Sequence, residues 1–309
     1  MGKVIFDSAH FEGDADFAFT EFSDEVSFEK EVRFDKHVTF GGARFLKKVS
    51  FQNALFLGET YFGYTRFSEV NFSYARFFDR TFFDGDENNR VFSEHHHTSM
   101  VSVLFQKPDQ VLFRIVNLTK CSLINTDLSK VELTDVKWSY KRTSLDKRKV
   151  IYDEISTESN KNYPLIEKVY CQLKKNYEDR GNYAEAGNFH YGEMEMRRLA
   201  YKSVFRFISL TACYKYLSGY CEKYWRALFW LAVFLILFSG SYLAAGIKLQ
   251  AGSSGSSPVI WYPLTLNPAA LFTTQFWQNF SYSMLHTFEA ATFQKDRTFT
   301  TVNQPGRFL

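Results

Sequence analysis

The chain has 309 residues, with 37 basic against 34 acidic side chains and aromatic rings at 18% of positions. That length suits about two domains, and a net charge of +3 excludes a strongly basic nucleic-acid binder. The cysteines, Cys121, Cys171, Cys213 and Cys221, show neither CxxC nor other metal spacing and fit a reducing compartment.

Phenylalanine recurs every five or six residues from the start of the chain: Phe6, Phe11, Phe17, Phe22, Phe28, Phe34, Phe40, Phe45, Phe51, Phe56, Phe62, Phe67, Phe72, Phe77 and Phe82. Two positions before each rung up to Phe77 stands a small residue, from Val4, Ala9 and Ala15 to Val70 and Ala75; Arg80, before Phe82, breaks the rule. This period fits no helical face, whereas residues i and i−2 of an extended chain point the same way. Short extended pieces therefore turn a ring and a small residue inward together. No coil of such pieces buries its own rings, so the coils must stack, and the sequence predicts a solenoid.

The ladder resembles the pentapeptide-repeat family, in its phenylalanine-centred branch. The resemblance implies a mainly β N-terminal domain wound as a right-handed, four-sided parallel β-helix, although the six-residue steps depart from a strict period of five. Residues 84–109 interrupt the pattern with Gly85, Asn88, Asn89 and Pro108 and read as a surface insertion loop. The run His95-His96-His97 lies there; adjacent histidines seldom converge on one ion, so no metal site is expected. The period then returns with a new centre, at Phe113, Leu118, Leu123, Leu128, Leu133 and Trp138. Residues 1–140 thus read as one interrupted solenoid.

Residues 141–222 read as a linker, a helical hairpin and a membrane-proximal helix. Lys141-Arg142 and Lys147-Arg148-Lys149 suit either a solvated linker or contact with anionic headgroups. From about Leu145 the pattern turns helical, and Leu165, Ile166, Val169, Tyr170, Leu173 and Tyr177 mark one helical face. Gly181 breaks it before a second helix over 183–201. The run from Asn176 to Tyr183, with Ala186-Gly187 and Tyr191 to Met196, resembles the hairpin after the repeats in membrane-bound pentapeptide-repeat proteins, where a channel-like membrane region comes next. Residues 201–220 mix aromatic and basic side chains and are expected along the inner leaflet.

Residues 223–248 read as a transmembrane helix, since Ala227 to Ile247 carries no charge and about twenty apolar residues cross a bilayer core. Basic residues crowd its amino side, which places the N-terminal domain in the cytoplasm, under a bacterial inner membrane. Residues 249–309 are expected to be extracytoplasmic or re-entrant, with a flexible linker at 251–257. Tyr282, Ser283, Thr287 and Phe288 are similar to the pore helix of the related channel-like proteins. Thr292 to Arg297, however, offers no glycine pair for a filter, and 269–293 carries too many polar residues to span.

No GxGxxG, P-loop, HExxH or GxSxG pattern occurs, so neither an enzyme nor a cofactor is expected. His10, His37, His190 and His286 show no partner in the sequence. The expected partners are the lipid bilayer, an unidentified protein and a second copy of the chain through the uncapped first coil, with no nucleic acid. The leading reading is a non-enzymatic, membrane-anchored scaffold. One alternative is a subunit of an oligomeric ion-channel-like pore with a degenerate filter. The other is a DNA-mimicking topoisomerase modulator, for which fourteen acids against ten bases in residues 1–85 is a weak excess.

Overall fold

The computed structural model describes residues 2–87, 90–143, 146–157, 161–201, 204–249, 259–260, 273–292 and 299–301. Two compact units divide the chain, Met1–Lys215 and Tyr216–Leu309. The first opens as a parallel β-solenoid of about six turns. Each short strand pairs in register with the strand one turn on: Val4 faces Val26, Val26 faces Val49, and Val49 faces Val70. Because strands repeat at about 4.8 Å, rings at equal positions must stack. They form four columns: Phe6–Phe28–Phe51–Phe72, Phe11–Phe34–Phe56–Phe77–Phe105, Phe17–Phe40–Phe62–Phe83–Phe113 and Phe22–Phe45–Phe67–Phe92. Centroids of Phe56 and Phe77 lie 4.6 Å apart and those of Phe51 and Phe72 5.1 Å.

The mixed spacing has a backbone cause. Two residues past every other rung the chain is left-handed, at Ser8, Phe19, Lys30, Gly42, Asn53, Tyr64 and Tyr74. At six of these seven corners the next N–H returns to the carbonyl of the rung, as from Ala9 to Phe6 and from Ala54 to Phe51, the pattern of a type II turn. That turn is short, and the following rung comes after five residues. Corners without it take six. Phe28 to Phe34 takes six, and there Glu31 is left-handed as well as Lys30. Phe67 to Phe72 manages with five by a register shift between Phe67 and Glu69.

Three sequence expectations change. The last early rung is Phe83, not Phe82: Phe83 stacks on Phe62 and Phe113, with small Thr81 two positions before it, while Phe82 lies outside against Tyr61. A six-residue step from Phe77 accounts for the offset. Residues 84–109 are not one surface loop. Thr98–Ser99 pairs with Val70–Asn71, Leu104–Phe105 pairs with Arg76–Phe77, and Val91, Phe92, Met100, Val103 and Phe105 are buried. This stretch is a full turn of the solenoid with enlarged corners. Finally, the basic stretch is neither linker nor helix but an antiparallel hairpin, Ser139–Thr143 with Asp146–Val150.

Phe28 to Phe77 along the ladder, and Leu118, Leu123, Leu128 and Leu133 after it, are buried. In the first turn Phe6, Phe11 and Phe17 are only half-buried, each stacked on a ring of the next turn, and Phe22 is 9% exposed. The opposite end is sealed. There α1 (Tyr152–Ile155), α2 (Tyr163–Asp179) and α3 (Tyr183–Ala200) follow the hairpin. Asn162 caps α2, Gly181 (φ +72°) ends it by a turn, and Asn182 caps α3. The two helices pack closely at Gly192, where an added Cβ would meet the Tyr170 ring at 2.4 Å. Short helices α4 (Phe205–Ile208) and α5 (Leu210–Ser218) come next.

In the second unit, α6 (Tyr224–Ala245) is the one described helix long and apolar enough to cross a membrane, about 33 Å at 1.5 Å per residue. Gly246 ends it, and α7 (Thr274–Ala291) packs along it. Ile247–Leu249 pairs antiparallel with both Val259–Ile260 and Phe299–Thr301. The linker at 251–257 lies outside the described residues.

Candidate interaction and membrane surfaces

Outside the solenoid, charges pair between turns. Asp24 meets Lys47 at 2.6 Å, Glu59 meets Arg80 at 2.9 Å, Asp79 meets Lys107 at 2.7 Å, and Asp84 meets Arg114. Lys107 holds the Asp79 carboxyl below its ordinary range. His10 joins this surface through Asp35 at 2.8 Å, a partner the sequence did not reveal. Most of these pairs are exposed, so each contributes little stability. They break the acidic excess into alternating sign, leaving no unbroken negative stripe along the turns they join.

At the sealed end the last turn would leave carbonyls without partners, and side chains from the helices supply them. Asn176 Nδ2 donates to the Leu128 and Val131 carbonyls at 2.6 and 2.7 Å. Asp153 accepts from Ser122 Oγ at 2.5 Å and from the Leu123 N–H at 2.9 Å. Burial pushes the Asp153 carboxyl up. Buried Glu154 accepts from Tyr170 at 2.6 Å and pairs with Arg148 at 2.5 Å and Lys141 at 3.0 Å. Burial works against its charge, but those two cations keep its carboxyl below the ordinary value. Lys149 pairs with Glu185. The basic hairpin is therefore largely spent inside the protein, which weakens the headgroup-contact alternative for it.

The α3 acids form a second network. Glu195 is mostly buried and accepts from Arg198 and Lys215, each at 2.8 Å; burial opposes its ionisation, yet these cations hold it down to about 2. His190, at 3.7 Å, together with Lys174 and Arg197, holds Glu193 to about 2. His95, His96 and His97 are exposed, and no metal-holding group of His, Cys, Asp and Glu occurs among the described residues. Cys121 is buried, which raises its thiol; the other three cysteines are exposed.

The pore-helix-like residues divide by face. Ser283 Oγ donates to the Ser239 carbonyl at 2.6 Å, and Thr287 lies 3.1 Å from Ser239 Oγ. Tyr282 and Phe288 are exposed. His286 is buried with its ring 4.8 Å from Tyr242, and Glu289 is buried one turn on. From Tyr282 to Ala291 every buried residue is polar, while the exposed ones are Tyr282, Met284, Leu285, Phe288 and Ala291. α6 is likewise apolar outside, through Leu228, Phe229, Leu231, Ile236 and Leu237. The polar content of 269–293 therefore faces α6 rather than water in this half of α7, which sequence counting alone could not show.

The path of α7 is equally telling. It runs antiparallel to α6, and its last turn, Ala290–Ala291, shares an apolar groove with Leu231 and Phe234, midway along α6. By Phe299–Thr301 the chain is back at Ile247–Leu249, beyond the far end of α6. The stretch after α7, which lacks a filter's glycine pair, lies outside the described residues from Phe293 to Thr298.

The profile of pentapeptide repeats, in nine copies, matches residues 40–85. Residues 40–85 are pentapeptide repeats. The match spans turns whose ring columns are fully buried, and the same solenoid continues beyond it through Phe92, Phe105 and the leucine rungs. No curated protein and no solved structure matches the chain.

Proposed function

We propose that this protein is a non-enzymatic, membrane-anchored scaffold whose pentapeptide-repeat domain presents a rigid cytoplasmic surface to a protein partner. The observation that carries the reading is α6, a helix of 22 residues with large apolar side chains turned outward along its length. Arg197, Arg198, Arg206, Lys215 and Lys223 precede it in the sequence, the bias that keeps preceding segments inside. The solenoid supplies what a scaffold needs, a stiff column with charged, turn-by-turn variable faces. The expected outcome is fractionation with membranes that survives high salt and alkaline carbonate. Release by either treatment would refute the anchor.

A second reading, a subunit of an oligomeric pore, is favoured by one observation. Residues 273–292 run beside α6 from its carboxyl end and 299–301 pair at that same end, with Ser283, His286, Thr287 and Glu289 inside. Reconstitution in planar bilayers tests it, and silence across monovalent and divalent salts would remove it.

A further inference from the structure

Between α3 and α6 lies a cluster that the scaffold reading leaves unused. Val204, Phe205, Phe207, Ile208 and Leu210 are each 58–87% exposed. Elsewhere on the first unit large apolar side chains reach solvent singly, as at Phe19, Tyr74 and Tyr183, which is ordinary for a protein surface. Five within seven positions are not ordinary.

The cluster is also firmly mounted. Arg198, buried and paired with Glu195, donates through Nη1 to the Arg206 carbonyl at 2.9 Å. Arg206 in turn donates to the Tyr201 carbonyl at 2.7 Å, and Lys215 ties α5 back to Glu195. The rings are thus held out by a buried ion network rather than left on a loose tail.

We propose that Val204–Leu210 is a second membrane contact, an apolar wedge seated in the headgroup and acyl boundary of an anionic bilayer. Three observations select lipid over a protein surface. Phe205, Phe207 and Ile208 occupy a single turn and splay round it, so they make no flat face for a complementary partner, whereas fluid acyl chains close round any shape. Beyond Arg197, Arg198 and Lys215, which Glu193 and Glu195 engage, residues 197–226 carry Lys202, Arg206, Lys223 and Arg226 against one acid, Glu222, a balance that matches anionic headgroups. And α6 begins at Tyr224, 14 residues past Leu210, so the wedge is never far along the chain from the bilayer. The inference rests on α6 as the anchor and adds a shallow contact for the unit before it.

The test places one fluorophore at a time on the full chain in vesicles of phosphatidylethanolamine and phosphatidylglycerol. Cys171, Cys213 and Cys221 are replaced by serine, Cys121 being buried, and Phe207→Cys, Leu231→Cys and Tyr74→Cys are labelled with bimane. Phe207→Cys should lose fluorescence to lipids with a nitroxide near the headgroup and resist iodide. Leu231→Cys should be quenched by nitroxides deep in the acyl chain, and Tyr74→Cys by iodide alone. If Leu231→Cys reports depth while iodide quenches Phe207→Cys freely, the wedge is overturned and the anchor stands. If lipid quenches neither, the anchor itself falls. Shielding of Phe207→Cys from both quenchers, with disulfide crosslinking between copies, would assign the cluster to a second copy of the chain and overturn the proposal.

Discussion

The solenoid and the α6–α7 pair are built with opposite polarity. In the solenoid the rings are inside and the ion pairs outside, as the buried ring of Phe45 and the Asp24–Lys47 pair show. In the helix pair Ser239, Ser283, His286 and Thr287 are inside, while Leu231, Leu237, Leu285 and Phe288 are outside. Both arrangements obey one rule, that a surface resembles its solvent, and the contrast is what the proposed membrane anchor requires. The helix pair further shows why polar side chains do not by themselves argue against a membrane: what counts is which way they point.

The sharpest way to probe the solenoid half is to empty a ring column. Phe51→Ala removes a fully buried ring stacked on both sides and is expected to cost about 3–5 kcal/mol, read by denaturant unfolding followed by circular dichroism. Phe6→Ala, at the half-buried open end, should cost clearly less. Equal losses would mean that the first turn is covered by something else. For the helix half, Leu231→Arg puts a charge on the outward face of α6, at about 2.5–3.5 kcal/mol if that face meets hydrocarbon. Carbonate-resistant membrane fraction is the readout, and an unchanged fraction would break the comparison.

Smaller effects sharpen it. Asn176→Ala strands two buried carbonyls at the sealed end, for about 1–3 kcal/mol in the same unfolding measurement. Glu195 gives a pH signature. Its folded carboxyl titrates near 2 and its unfolded one near 4.5, so its stabilisation is present above the unfolded value and is lost as pH falls from there through about 2. Glu195→Gln should flatten the acid limb of the melting temperature against pH without steepening the alkaline one. Smallest of all, Asp24→Asn, at an exposed pair, should leave the melting temperature unchanged within error.

Much of the solenoid was legible because its signal is local. Two residues, i and i−2, share a face in any extended chain, and phenylalanine announces the inward position. The signal failed where that economy failed. Phe82 and Phe83 are adjacent aromatics, and only the turn geometry decides which points in. Residues 84–109 hide their rungs because Met100 replaces a ring and the corners lengthen, so periodicity vanishes while the strand pairing persists. The sealed end was illegible for another reason: Asn176 looks like any helical asparagine until Leu128 and Val131, 48 and 45 residues earlier, come within its reach. In α7, identities predicted Tyr282, Ser283, Thr287 and Phe288 as a group, but burial separates Ser283 and Thr287 from the other two.

The stacked columns also set the unit in which this domain can grow. Rings meet only when equal positions recur, about 22 residues apart as from Phe6 to Phe28 or Phe34 to Phe56. Adding a single five-residue word would slide every later ring into its neighbour's column and set left-handed corners against extended ones. Duplicating one whole circuit would leave all columns aligned and lengthen the rod by one strand spacing, about 4.8 Å. Length in such a solenoid is therefore quantised, changing only in steps of one strand spacing.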